Sequence, residues 1–434
     1  MPIKNIDSII ALFNSSDFQS ALDSIEELIE DNPNDALLFN IRGACYAGLD
    51  HKNLAKENYE KAITINPGYA KAHYNLAGAL HELQDFDGSI QSYQDALVIE
   101  PDYAEAHNNL GNVFKEVGKL DTAIKSYQNA IDIKPDYVEA YYSLGSSFQE
   151  TGKLEEAVEC YSKVVELRPN FSLIHNNLGN ILRELGRFDD AVLSYEKAIS
   201  IDPDFVEAGN NLGLTFVDLG ENDRAVNCYE TVLKTDPNSY YTLNNLGIVF
   251  CNINRESDAA QCFEKAIAIK PDYIEAHLNR GNLMSNFHLL DEALESYKIA
   301  QKLKPDVDYI LGNILSIKMN LCLWDSFYDS LNALKKHVFS GKNKFMPFHC
   351  NDIIDDPALK RMATEFYASD KFPKSNVLPE IDFYTRHNKI RVGIFLETLE
   401  NTLFLLSLQI SMRLIIESNL KSMLFPMGLI PMMR

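Results

Sequence analysis

Residues 101–135 read PDYAEAHNNLGNVFKEVGKLDTAIKSYQNAIDIKP, one complete structural unit of this chain. Leu110, Gly111 and Phe114 fall on one helix, and Ala123, Tyr127 and Ala130 on a second. Spacings of three and four put each set on a single helical face. Between them, Glu116-Val117-Gly118-Lys119-Leu120 supplies a turn. Pro135 cannot continue the second helix, because it has no N–H to donate and its ring clashes with the preceding turn. Gly111 and Ala123 are expected to be small so that the paired helices approach closely, with Tyr127 filling the space beside them.

The unit is copied along the chain. Pro33, Pro67, Pro101, Pro135, Pro169, Pro203, Pro237, Pro271 and Pro305 follow one another at a single constant interval. The alanine recurs as Ala55, Ala157, Ala191, Ala225, Ala259 and Ala293, with Ser89 in the one gap. The aromatic recurs as Tyr59, Tyr93, Tyr161, Tyr195, Tyr229, Phe263 and Tyr297. The turn glycine recurs as Gly152, Gly186 and Gly220 and then becomes Asn254, another residue that tolerates a left-handed backbone. A 34-residue period of helix–turn–helix resembles the tetratricopeptide family, from about Asp7 to Pro305.

That resemblance implies an all-α, right-handed superhelix in which each unit touches only its neighbours. Residues 1–33 form a degenerate capping pair, with Ala21 in register but Ile25 and Leu28 replacing the aromatic and the second alanine. Residues 34–305 hold eight repeats, and 306–340 a terminal degenerate one in which Phe327 stands where alanine belongs. A mixed linker and the incomplete start of an α/β domain are expected over 341–393.

Charge and cysteine content narrow the function. Forty Lys and Arg against 62 Asp and Glu give a net charge of −22. Nucleic acids and anionic membranes both demand a basic face, so neither is an expected partner. The seven cysteines include no C-x-x-C pair, which fits a reduced, cytoplasmic compartment. The most apolar stretch, Leu403 to Ile416, includes Gln409 and Arg413 and falls short of the ~20 residues a membrane helix needs.

One polar position is kept in register: Asn75, Asn109, Asn177, Asn211, Asn245, Asn279 and Asn313, with Ile41 and Ser143 as exceptions. Asparagine is a mediocre helix former, so its repetition asks for a reason. First helices line the inner groove of a tetratricopeptide superhelix, and there these amides would form a ladder. An amide offers donor and acceptor together, which suits the backbone of an extended or disordered segment of another protein. A second column, His73, His107, His175 and His277, is expected to be a set of satisfied inter-helix histidines. Equivalent positions a helix-packing distance apart, ~8–10 Å, cannot share one zinc ion with bonds of ~2 Å. No metal site is therefore expected. The Asp-Tyr-x-Glu runs at Asp102–Glu105 and Asp136–Glu139 are read as helix caps, not catalytic carboxylates.

The last quarter reads differently. Lys318-Met319, Cys322-Leu323-Trp324-Asp325, Pro347-Phe348-His349 and Asp355-Asp356-Pro357-Ala358-Leu359 lead to Lys389-Ile390-Arg391-Val392-Gly393. The last run reads as the first strand of a doubly wound α/β domain. In this order after a repeat array, the segments resemble the protein O-linked N-acetylglucosamine transferases. In that family an asparagine-laddered superhelix feeds extended polypeptide into a two-lobed glycosyltransferase.

From Ile394 the resemblance stops. A reading frame displaced by one nucleotide lets Gly393 to Leu403 be re-read as Tyr-Phe-Ser-Gly-Asp-Phe-Arg-Glu-His-Pro, again similar to the family. The same frame restores a second family-like stretch over Asn419 to Arg434. Residues 394–434 are therefore expected to be a frameshifted tail, too short to supply the two lobes a nucleotide-sugar site needs. No catalytic residue and no cofactor is assigned, and a UDP-sugar donor would belong only to the complete parent enzyme. The expected function is recruitment of extended polypeptide for such a transferase. The alternative is a free-standing scaffold or co-chaperone adaptor. Clamping acidic tails would need basic groove residues, and four residues after the prolines only Lys71 is basic.

Overall fold

A computed structural model describes residues 6–305 and 310–325, with Asp329, Leu331 and Asn332 beyond them. The described residues form nineteen α-helices and no strand, as the 34-residue period predicts for a helix-pair solenoid. The chain divides into two compact units, Met1–Arg255 and Glu256–Arg434. From Ala36 to Asn252 the first helix of each repeat (A) has 13 residues and the second (B) has 14. Within the first unit each A helix from Ala36–Gly48 to Val206–Asp218 packs on its own B helix and on the B helix before it, and Tyr240–Asn252 packs on Asn222–Thr235. Within the second, Ile274–Asn286 packs in the same way against Glu256–Ile269 and Leu290–Leu303.

Each B helix stops two residues before its proline. The helix Leu120–Ile133 ends at Lys134, which lies outside the helical region at φ −128° and ψ 89°. A residue ahead of proline is pushed out of the α region by the proline ring, so the stop is written into the sequence. The A–B turn places one residue per repeat in the left-handed region, at φ between 55° and 76°. Four of these are the expected glycines, but Ser16, Asp50, Gln84, Asn254, His288 and Cys322 take the same conformation. The register therefore extends further both ways than glycine alone reveals. Cys322 closes the helix Ile310–Asn320, so the first helix and turn of the degenerate repeat after Pro305 are formed. Phe327, the expected linker and strand over 341–393, and the 394–434 tail lie outside the described residues.

The core repeats with the sequence. Ala123, Tyr127 and Ala130 are fully buried, as are Ala191, Tyr195 and Ala198. The role of the A-helix glycine is more specific than close helix approach: a Cβ on Gly111 would stand 2.6 Å from the Tyr127 ring. The glycine makes room for the tyrosine, and burying each ring stabilises the stack by about 2 kcal/mol or more.

The acidic runs after the prolines place Glu105 and Glu139 in the first helical turns, as expected for negative charge at a helix N-terminus, but not at the cap position itself. The cap residues are Tyr103 and Tyr137, and neither makes a side-chain cap hydrogen bond. Glu105 and Glu139 also reach the residues that end the following B helices, Lys134 at 3.7 Å and Arg168 at 2.7 Å. These ion pairs are half exposed and contribute little.

Candidate functional site

The asparagine column lies on the A helices and is mostly half-buried. Its amides first tie one repeat to the next. Asn75 Nδ2 donates to Asn40 Oδ1 at 2.9 Å, Asn109 Nδ2 to the Tyr74 hydroxyl at 2.9 Å, and Asn177 Nδ2 to the Tyr142 hydroxyl at 3.4 Å. Asn211 spends both amide hydrogens, on Asn176 Oδ1 at 3.0 Å and Asn180 Oδ1 at 2.9 Å. Asn313 bonds to Tyr297, and Asn279 is also engaged. Asn245 differs: it is buried, and its amide nitrogen has no partner.

Four of these acceptors, Asn40, Tyr74, Tyr142 and Asn176, share the position one residue before the ladder, whereas Asn108 at that position donates to Asn109 and its own oxygen has no partner. The signal was present in the sequence as asparagine and tyrosine sharing one position of the repeat. A third set stands three residues after the ladder: Asn112, Asn180 and Asn282 accept the hydroxyls of Tyr127, Tyr195 and Tyr297 at 2.6–2.9 Å. One continuous network results around Asn211. The Tyr195 hydroxyl and one Asn211 hydrogen meet on Asn180 Oδ1, the other Asn211 hydrogen goes to Asn176, and Asn176 donates to Glu207 Oε1 at 2.9 Å. Such a chain of satisfied bonds fixes the side chains before any ligand arrives.

Asn180, Arg183, Glu184, Glu207, Asn211 and Asp218 line a groove of about 600 Å³. Polar pairs run between the last turns of successive A helices, and one of them, Arg183–Asp218, lies in this groove. His81 meets Glu116 at 2.6 Å, Lys115 meets Glu150 at 2.7 Å and Arg183 meets Asp218 at 2.6 Å. Gln149 stands where the cation for Glu184 would be, so that carboxylate is left without this pair. Three carboxylates against one guanidinium leave the groove acidic, and Asn211 presents only its oxygen.

The histidine column is satisfied mainly by proline carbonyls of the same repeat, and His73 Nδ1 also comes within 4.0 Å of Asp95 on the following helix. His73, His107, His175 and His277 each place Nε2 2.9–3.1 Å from the carbonyl of the proline six residues earlier. A carbonyl only accepts, so Nε2 carries the proton. Burial pushes the phenols of Tyr195 and Tyr229 above the usual tyrosine range, and the thiols of Cys160 and Cys228 up to about 12 and about 11. These groups stay protonated at neutral pH, which suits packing and neutral hydrogen bonding.

Tetratricopeptide-repeat models match residues 37–69, 58–91, 77–118, 112–152, 138–171, 160–192, 179–220 and 210–274, an unbroken run. The chain is a tetratricopeptide-repeat protein. Among curated proteins, the peroxisomal targeting signal receptor of Saccharomyces cerevisiae is 32% identical over 68 residues, 16% of this chain and 11% of that protein. The STIP1 homolog of Dictyostelium discoideum is 30% identical over 82 residues, 19% of this chain and 14% of that one. This tetratricopeptide-repeat protein thus spans only a small part of either relative. A solved C-terminal part of a repeat-containing protein from Cytophaga hutchinsonii shares the fold, at 19% identity and TM-score 0.50. It covers 56% of this chain and 99% of that one. Among the described residues no helix is long and apolar enough to cross a membrane.

Proposed function

We propose that this tetratricopeptide-repeat protein is a scaffold that binds extended polypeptide along the asparagine face of its A helices. The observation that carries the reading is the groove at Asn180, Glu184, Glu207, Asn211 and Asp218, preset by the Tyr195–Asn180–Asn211–Asn176 network. Because Asn211 has no amide hydrogen to spare, the groove presents acceptors. A ligand must supply donors: the backbone N–H groups of an extended chain, and basic side chains for Glu184 and Glu207. Sequence preference is modest and favours lysine and arginine, since the charge term is long-range while the amides read only backbone.

The test is fluorescence anisotropy with unstructured peptides of matched length, basic or acidic, against the chain and its Asn177→Ala/Asn211→Ala variant. The basic peptide binds more tightly and loses affinity with salt, and the double variant binds it several-fold more weakly while its circular dichroism holds. Equal affinity for both peptides, or no change in a folded double variant, rules the groove out.

On the finer role, the order of segments from Lys318 to Gly393 supports a recruiting array for a protein O-linked N-acetylglucosamine transferase-like enzyme. The nucleotide sequence beyond the Lys389 codon tests it: a displaced frame that stays open for several hundred codons supports it, and early stops remove it. The second reading, a free-standing adaptor, is favoured by the short matches to a targeting-signal receptor and a STIP1 homolog. Basic side chains that would clamp an acidic tail are scarce on the groove, where Arg183 is already paired with Asp218.

A further inference from the structure

Six residues after each repeat proline, the A helix carries a bulky side chain: Phe39, His73, His107, Tyr141, His175, Leu243, His277 and Leu311. Gly209 is the exception. A glycine inside the helix Val206–Asp218 costs about 1 kcal/mol relative to alanine, so its presence calls for a packing or binding reason. Part of the reason is packing. A Cβ at Gly209 would stand 2.4 Å from Val232 Cγ2, where most repeats have alanine.

A pocket of about 430 Å³ opens there, lined by Pro203, Gly209, Leu212, Phe216, Cys228 and Val232 among others. That volume falls in the range of small-ligand sites, roughly 300–1,000 Å³. Its walls are more apolar than polar, with Glu196, Asp204, Asn227, Thr231 and Thr235 also on the lining. In four sister repeats the proline carbonyl is met by an imidazole N–H, whereas Gly209 has no side chain to offer Pro203. Arg224 also borders the pocket, yet its guanidinium is committed, 4.0 Å from the Phe216 ring centre and 3.6 Å from Glu196. The Pro203 carbonyl is therefore a neutral acceptor that no side chain at position 209 meets, and an anionic ligand finds no free counter-ion in that arginine.

We propose that this pocket is a second binding site, distinct from the asparagine groove, for a planar aromatic ring carrying an N–H donor, the imidazole and indole class. The ring packs among Leu212, Phe216 and Val232, and its N–H donates to the Pro203 carbonyl as His175 Nε2 donates to Pro169 at 2.9 Å. Four sister repeats carry this ring covalently; this repeat takes it from outside. A ring of the same shape without the N–H leaves the carbonyl buried and unpaired, so discrimination comes from that one bond.

Benzimidazole and benzoxazole, similar in outline but differing in the N–H, are the probes, titrated into the full chain with methyl groups labelled for NMR. Benzimidazole is expected to shift the Val206, Leu212 and Val232 methyls saturably, and benzoxazole to bind at least ten-fold more weakly. Absence of saturable shifts at these methyls, or equal binding of the two probes, overturns the proposal. Gly209→Leu, which copies Leu243, should abolish the shifts. Because that side chain must displace Val232, a second variant works in the opposite direction. His175→Gly cuts the same vacancy in the preceding repeat and should gain benzimidazole binding near Pro169, and a folded His175→Gly protein that gains none also counts against the site.

Discussion

Two neighbouring repeats, 169–202 and 203–236, share the frame that defines the fold and differ in how they finish it. Both bury an alanine, a tyrosine and a further apolar residue on the B helix, and both turn on a left-handed glycine, Gly186 and Gly220. In the first, His175 meets the Pro169 carbonyl and the Tyr195 hydroxyl donates to Asn180 at 2.7 Å. In the second, Gly209 replaces the histidine, Leu214 replaces the asparagine, and the Tyr229 hydroxyl is buried without a partner. The apolar frame tolerates such losses because each repeat is held by contacts with its neighbours as well as its own. Polar satisfaction is then free to vary from repeat to repeat, and that variation gives each stretch of the solenoid its own surface.

The largest effect should come from removing what the two repeats share. Tyr195→Ala or Tyr229→Ala empties a fully buried site and should cost about 3–5 kcal/mol in urea unfolding. A cost below about 1 kcal/mol at either site would mean that the ring is not the keystone it looks to be.

Alkali should act next. Burial holds the Cys160 and Cys228 thiols up to about 12 and about 11, so the folded state keeps these protons longer than the unfolded chain does. Stability from each thiol is complete below the unfolded thiol range near pH ~8.5 and is lost as pH rises toward the folded value, by at most about 1.4 kcal/mol per pH unit. Cys228→Ser, which copies Ser194, should flatten part of that slope between about pH 8 and 10. An unchanged slope would show that Cys228 titrates as an ordinary thiol.

Sharper, though smaller, is the contrast between hydroxyls. Tyr195→Phe should lose about 1 kcal/mol, whereas Tyr229→Phe should be neutral or stabilising, because its hydroxyl makes no bond to lose. Leu214→Asn should then stabilise the chain only while Tyr229 is present, which a double-mutant cycle reads directly. Equal losses from the two Tyr→Phe changes would erase the difference between the repeats.

The smallest effect lies in the turns. Gln84 and His288 adopt φ of 62° and 58°, where glycine serves other repeats. Gln84→Gly should gain up to about 1 kcal/mol, and Gly186→Ala should lose a similar amount. Thermal melts of the two variants that move in the same direction would contradict this account.

The helix pairs, their turns, their stops before proline and the alanine–tyrosine core were all legible in the sequence, because each follows from local rules applied at a fixed period. The asparagine column was legible too, as a position. Its use was not. A one-dimensional pattern shows that Asn211 recurs at its register, but only packing shows that its two hydrogens are spent on Asn176 and Asn180. The acidic runs were half legible for a similar reason. Glu139 sits where a helix N-terminus favours negative charge, yet Arg168, which ends the following B helix, comes within 2.7 Å of it.

What the sequence alone determined is the repeat: one fixed period, two helices, one left-handed turn, one proline stop. Those features depend on backbone sterics and helical periodicity, which act within a few residues and so can be read along a line. What only the tertiary structure decided is which polar atoms remain available and where space is left over. The Gly209 pocket and the acceptor groove at Asn211 arise where side chains from separate helices meet or fail to meet. Hydrogen bonds and cavities depend on distances of a few tenths of an ångström between side chains on different helices, and no period encodes that.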